Sequence, residues 1–401
     1  MTHQFNRREW MKAASLIALA PSVPQFLRSS LTAAESTSGG RILVVIQLDG
    51  GNDGINTVVP YADEGYAKHR TALKLATDSL VKLNDQIGLH PALKPLNELL
   101  DDRRLAIVQG VGYPNPNRSH DVSMAIWQTA RMDPADHASF GWIGRALDQD
   151  PAPTESASRA MLIGDRSVPQ TLVSRKSSFA VLDRMTDLQP SSPLANAATK
   201  SQAKADDDDL TAFVQRTTLD AYAASDRLTE IAAKGDGNSS PYPGSTLARR
   251  LKMISQLIRA GFETSVYYAV QGGYDTHSQQ RQAHSGLLNE LSSSLKAFLN
   301  DLKASSLDDR VVVLCFSEFG RRVGENSSFG TDHGTAGPVL IAGAPVKSGL
   351  YGTTPSLLDL EDDDLKSHVD FRQVYATLLD RWLQVNSESI LADTYQPLDF
   401  L

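Results

Sequence analysis

The sequence predicts a three-layer α/β/α sandwich built on a mostly parallel central sheet. Three observations lead there. Short runs rich in Val, Ile and Leu recur along the chain, helical segments separate most of them, and acidic and imidazole side chains gather just beyond the runs. The runs are continuously apolar instead of alternating, the pattern of strands covered on both faces.

The elements follow in order. "RILVVIQL" (Arg41 to Leu48) is the first expected strand, and "RLAIVQGV" (Arg104 to Val111) the second, with a helix over Asn97 to Asp102 ahead of it. A helix over Thr246 to Gly261 precedes the strand "TSVYYAV" (Thr264 to Val270), and one over Gln279 to Ser305 precedes "RVVVLCF" (Arg310 to Phe316). "PVLIAG" (Pro338 to Gly343) comes next, and the amphipathic "DFRQVYATLLDRWLQ" (Asp370 to Gln384) closes the chain as a helix. Strands alternating with helices are the layout of an α/β fold. Between about residues 150 and 238 the pattern weakens, and this region reads as an insertion over the rim of the sheet. It contains "LQPSSPLANAATKSQAKADDDD" (Leu188 to Asp209), whose four aspartates lack the glycine and alternation of a calcium loop and read as a solvated segment.

The 401 residues are 41% hydrophobic, enough for a large core, and residues 41–401 read as a single domain. A net charge of -8, with no basic cluster beyond the N-terminus, argues against a nucleic-acid partner. One cysteine, Cys315, excludes an internal disulfide and a Cys/His zinc finger, and reads as a small buried hydrophobe. At the N-terminus, "NRREWMKAASLIALAPSV" sets Arg7 and Arg8 ahead of a short, mildly apolar segment from Ala13 to Ala20. That segment is shorter than the ~20 apolar residues needed to span a bilayer. Residues 1–34 therefore read as a twin-arginine export signal. The expected partner is the twin-arginine export machinery, the expected location periplasmic or extracellular, and no stable membrane insertion is expected once the signal is removed.

In parallel α/β sheets, ligands bind at the carboxyl ends of the strands. Asp49 and Asp53 follow the first strand in "LDGGNDGIN", and Arg118, Ser119, His120 and Asp121 follow the second. Asp275 and His277 follow the third in "QGGYDTHSQQ", while Ser317, Glu318 and Arg321 follow "VVVLCF". Asp332 and His333 stand just before "PVLIAG". With His284 counted, four of the nine histidines lie in or beside these positions. Carboxylates and imidazoles converging on one rim are what a divalent metal needs. Each pair alone is a weak signal that reads more readily as a turn or a cap, and Ser119 doubles as a helix N-cap candidate.

"GGNDGINTVVPY", "RSHDVSMAIWQTA", "GGYDTHSQQ", "SEFGRR", "GTDHGTAGPVLIAG" and "DFRQVYATLLDRWL" occur in that order over nearly the whole of residues 41–401. Together they resemble the exported bacterial family known as domain of unknown function 1501, which is in turn similar to the alkaline phosphatase and sulfatase superfamily. The resemblance implies an alkaline phosphatase-like sheet, two divalent metals, and a Ser or Thr nucleophile acting on phosphate or sulfate esters. It makes Asp53 the expected ligand of the second metal, with Asp49 ranked below it. Ser119 takes the nucleophile's place at a helix N-terminus, which would stabilise its alkoxide and an incoming anion. Asp275 and His277 resemble a pair on the first metal, though more closely spaced, and His333 the late histidine completing it. Glu318 takes an acidic ligand's place, but Phe319 stands where a histidine belongs. The missing nitrogen leaves several outcomes open: one metal, a harder ion, recruitment of Asp332 or His120, or loss of catalysis.

Arg321 or Arg118 would hold the substrate's anionic oxygens. The expected cofactor is one or two divalent ions, with zinc, manganese, magnesium and calcium all open. The functional expectation is an exported metal-dependent hydrolase acting on a small anionic ester. A non-catalytic binding or scaffold protein on the same fold is the alternative, and a transferase or phosphomutase a third. Formylglycine chemistry is not expected, because it needs C/S-x-P-x-R and Cys315 is followed by "FSEFGR".

Overall fold

Nine strands form the central sheet of the computed structural model, which describes residues 40–133, 140–149, 159–164, 168–177, 179–183 and 241–401. They are β1 Ile42–Asp49, β2 Leu105–Gly112, β3 Ala160–Ile163, β4 Phe179–Leu182 and β5 Val266–Gly272. β6 Val311–Phe316, β7 Gly337–Ala342, β8 Gly349–Tyr351 and β9 Val369–Asp370 follow. The order across the sheet is β8-β2-β7-β6-β1-β5-β3-β4, with β9 also paired to β2. β1 lies between β5 and β6 and runs parallel to both.

Alternation along β1 builds two cores. Ile42, Val44, Ile46 and Leu48 enter one apolar cluster, while Leu43 and Val45 enter another, because successive strand side chains point to opposite faces. The first cluster lies under the helices Thr246–Arg259 and Gln280–Ala304, which contribute Leu251, Ile254, Leu295 and Phe298. The second lies under the helices His120–Thr129, Trp142–Gln149 and Phe371–Thr377, the last continuing as a π-helix over Leu378–Leu383. The three layers of the predicted sandwich are therefore present. Trp127 pins the helix His120–Thr129 to the sheet by stacking on Phe316 at 5.1 Å and Phe371 at 4.5 Å.

Two features depart from the expected layout. β7 is antiparallel to both β6 and β2, the exception among otherwise parallel pairings. Its first residues therefore stand at the rim where β1, β2, β5 and β6 end, which puts the segment before it on the same edge. The second concerns the expected insertion: β3 and β4 fall within it, yet they extend the sheet in its plane instead of covering its rim. Four-residue strands are too short to leave a periodic signature. The expected export signal and the stretch from Leu188 to Asp209 lie outside the described residues. Among the described residues no helix is long and apolar enough to cross a membrane.

The turn after β1 is anchored by a buried network. Asp53 has no exposed surface and pairs bidentately with Arg70, at 2.6 Å from Nη1 to Oδ2 and 3.0 Å from Nη2 to Oδ1. Its carboxylate also caps the short helix Gly54–Thr57 and accepts from the Gln280 amide. Beside it, His284 Nε2 donates to Asn52 Oδ1 at 2.9 Å, and the His90 ring packs edge-on at 5.9 Å. Burial lowers His284 from 6.5 to about 4, so it is neutral in the fold at pH 7.

A group whose folded pKa is depressed in this way leaves stability intact above pH 6.5 and erodes it as pH falls toward 4, because the unfolded chain takes up the proton first. Urea unfolding of a His284→Gln variant, compared with the parent at pH 7.5 and pH 5, checks this. The parent should lose about 2 kcal/mol more than the variant on acidification, from ~1.4 kcal/mol per pH unit below 6.5. Equal losses would show that His284 is not held neutral.

Candidate metal centre

Three connections bring the site together. His120 opens the helix that follows β2, and Asp275 and His277 come from the loop after β5. Glu318, Phe319 and Arg321 follow β6, and Asp332 and His333 precede the inverted β7. The Gly50–Gly51 pair makes this closure possible. Both glycines have positive φ, at +121° and +78°, and a Cβ would strike the Asp275 backbone nitrogen at Gly50 or the Phe319 ring at Gly51.

Asp275 Oδ1 is the hub. Arg321 Nη2 lies 2.6 Å from it, His277 Nε2 3.0 Å, His333 Nε2 3.2 Å and His120 Nε2 3.5 Å. His277 Nε2 and His333 Nε2 are themselves 2.9 Å apart. Ligand atoms of His120, Asp275 and His333 all fall within 4.8 Å of one another.

The outer nitrogens explain the inner ones. His120 Nδ1 is 2.8 Å from Glu318 Oε1, His277 Nδ1 is 3.0 Å from Asp332 Oδ1, and His333 Nδ1 is 2.7 Å from the Arg118 carbonyl. Each of these oxygens accepts, so each Nδ1 carries the hydrogen, and this pairing assigns the tautomer. Each Nε2 then turns a lone pair toward Asp275. A histidine that donates its second N–H to a carboxylate or carbonyl is the usual state of a metal ligand. Among the described residues His120 Nε2 is buried and makes no hydrogen bond, with Asp275 Oδ1 at 3.5 Å. Lone pairs facing one another at about 3 Å repel unless a proton or a cation lies among them, so His120, Asp275 and His333 fit a divalent ion, with His277 beside them.

The charge on Asp275 agrees. Burial would raise Asp275, but Arg321 and the neighbouring imidazoles bring it down to about 2, keeping it an anion. The hydrogen bond that His120 donates to Glu318 raises the imidazole's pKa, with burial opposing, which favours a proton on Nε2 where no cation takes its place. Phe319 supplies an apolar wall, its ring 4.9 Å from the rings of both His120 and His333. The other side is open, with Asp275 49% and His277 45% exposed.

The remaining sequence-predicted residues fall elsewhere. Asp53, the preferred ligand, is outside the cluster because Arg70 neutralises it in the core. Asp49 ends β1 and accepts from Gln47 Nε2 at 3.1 Å. Glu318 and Asp332 hold imidazoles instead of facing the centre. Glu318 accepts from His120, from Gly50 N at 2.9 Å and from Ser317 Oγ at 2.9 Å. Asp332 accepts from His277 and from Asn326 Nδ2 at 3.1 Å.

Arg321 is no anion clamp. Buried to 1% exposure, it donates to the carbonyls of Gly50, Gly51, Tyr274 and Thr331 as well as to Asp275. Arg118 Nε and Nη2 bond Asp364 Oδ2 at 2.8 and 2.6 Å. Ser119 is exposed at the N-cap position, and its side chain makes no capping bond. His284, counted with the rim histidines, points into the core instead. His120 entered the sequence reading only as a substitute ligand; its place at the first residue of a helix after a strand end was the available signal.

Residues 41–394 match the model of DUF1501, described as a protein of unknown function, and the chain belongs to that family. Among curated proteins none matches the sequence. Among solved structures, the C-terminal periplasmic domain of EcEptC from Escherichia coli, in complex with Zn, is 9% identical over 77% of this chain and 74% of that one, with a TM-score of 0.40. The PsFucS1 sulfatase from Pseudoalteromonas sp. is 9% identical over 96% and 77%, with a TM-score of 0.38. A protein in the alkaline phosphatase superfamily from Vibrio parahaemolyticus is 12% identical over 83% and 71%, at 0.34. Likenesses this distant say nothing of the site's chemistry.

The position of Arg321 predicts a structural phenotype. Arg321→Met leaves four carbonyls and a carboxylate without their donor, and should lower stability by roughly 3–5 kcal/mol, read from urea unfolding. A variant as stable as the parent, impaired only in binding anions, would return Arg321 to the clamp role.

Proposed function

We propose that this member of DUF1501 is a metal-dependent hydrolase of phosphate or sulfate esters, with one centre formed by His120, Asp275, His277 and His333 and with Ser119 as nucleophile. One observation carries the reading: three imidazole Nε2 atoms converge on Asp275 Oδ1 while each Nδ1 is fixed by an acceptor. Three nitrogens and one carboxylate suit zinc, and manganese less well, whereas magnesium and calcium favour all-oxygen sites. When bound, such an ion supplies Lewis acidity at an ester oxygen and lowers the pKa of a nearby hydroxyl.

The chain's own groups supply the rest. Ser119 stands at the N-terminus of a ten-residue helix, where free backbone N–H groups and the helix dipole favour a negative charge. Its Oγ attacks phosphorus or sulfur, the ester bond breaks, and the alcohol leaves with a proton; water then releases phosphate or sulfate and restores the serine. Arg118 Nη1 makes no hydrogen bond among the described residues and is the candidate contact for an anionic oxygen, with Asp364 holding the guanidinium in place. Export by the twin-arginine route, supported by Arg7 and Arg8 ahead of a short apolar segment, places this chemistry outside the cytoplasm. Phe319 in a ligand's place favours a second reading, a binding protein on the same fold without turnover.

Untagged protein assayed for metal content and for hydrolysis of aryl phosphate and aryl sulfate tests the proposal. Bound zinc or manganese is expected, with turnover that falls at least 1,000-fold in Ser119→Ala (a loss of roughly 4 kcal/mol in transition-state stabilisation). Metal should be retained in that variant and lost in His333→Ala. Metal without turnover would favour the binding protein, and neither metal nor turnover would end both readings.

A further inference from the structure

We infer that the centre holds a single ion, because the groups from which a second would be built are engaged by the protein itself. The inference rests on the metal-dependent reading above and departs from the two-metal pattern that the superfamily resemblance implies. That pattern needs an acid from the turn after β1, an acid at position 318 and a nitrogen at position 319.

Each of these is otherwise engaged. Asp53 is fully buried against Arg70, and opening that pair would leave a guanidinium uncompensated in the core. Glu318, 1% exposed, accepts from three donors on two oxygens: Gly50 N, Ser317 Oγ and His120 Nδ1. Asp49 Oδ1 accepts from Gln47 Nε2. Phe319 fills the space against Gly51 with its ring, and Gly51 lacks a Cβ in a backbone conformation that side chains rarely adopt. An ion seated there would have to displace an aromatic ring that also packs on His120 and His333.

The inner set differs at His120. Its Nε2 is buried and makes no hydrogen bond among the described residues, and its ring is oriented by Glu318, the residue that the two-metal pattern would make a ligand. His120 thus replaces the nitrogen lost at position 319, but on the first ion's side of the site. The acid at position 318 has become the hydrogen-bond partner that sets its tautomer.

Metal stoichiometry of the full chain decides the matter. Protein stripped with a chelator and titrated with zinc alone should bind one tight equivalent. Two tight equivalents would overturn the inference; none would overturn the metal-dependent reading and this inference with it. Glu318→Gln separates the two roles of that residue. As the orienting partner of His120, its loss should weaken the single equivalent 10–100-fold without changing the count. A fall from two equivalents to one, with the remaining affinity unchanged, would instead mark Glu318 as the ligand of a second ion.

Discussion

Arg321 ties the rim together. Its guanidinium reaches the carbonyls of Gly50 and Gly51 after β1, of Tyr274 after β5 and of Thr331 before β7, and ends on Asp275. Three loops from separate parts of the chain thus share one buried cation, and each carbonyl it satisfies would otherwise be a desolvated acceptor. The same contact holds Asp275 ionised and aimed at the imidazoles. Arg321 itself follows β6 and is bridged in backbone pairing to His333, so the loop that supplies the cation also fixes the last histidine. Loop geometry and ligand geometry are set together.

Around that frame the carboxylates divide by their donors. Asp53 faces a guanidinium and becomes framework, Glu318 and Asp332 face imidazole Nδ1–H groups and become orienting partners, and Asp275 faces three Nε2 atoms. The residue type is the same or nearly so, and the role follows from the neighbour. Those neighbours are distant in sequence: Glu318 meets His120 across 198 positions and Gly50 across 268.

This separation sets what the sequence could and could not reveal. Continuously apolar strands and long amphipathic helices carry their own signature, so the expected helix from Gln279 to Ser305 and the observed Gln280–Ala304 differ by one residue at each end. The hydrophobic pattern of β7 is the same whether the strand runs up or down, so its inversion left no trace, although it is the reason His333 reaches the rim. β3 and β4 are four residues each, too short for any periodic signal. The neighbourhood of the site was legible because ligands sit where strands end. The pairing of Asp53 was not, since it turned on Arg70 in an unremarkable stretch 17 residues away.

Residues 118, 119 and 120 show how little chain the centre uses to join its parts. The Arg118 carbonyl holds the His333 ring, Ser119 presents an exposed hydroxyl, and His120 points a lone pair at Asp275. Consecutive residues move as one unit, so whatever fixes the start of this helix fixes all three. Two anchors do so from opposite ends: Glu318 on His120, and the stack of Phe316, Trp127 and Phe371 two turns along the helix. The stack contains the last residue of β6, and Glu318 lies two residues beyond it, so both anchors derive from the same strand end. An exposed hydroxyl and an imidazole on adjacent residues cannot drift apart. His120 stands beside Ser119, so one peptide unit would couple the proposed nucleophile to the proposed ion.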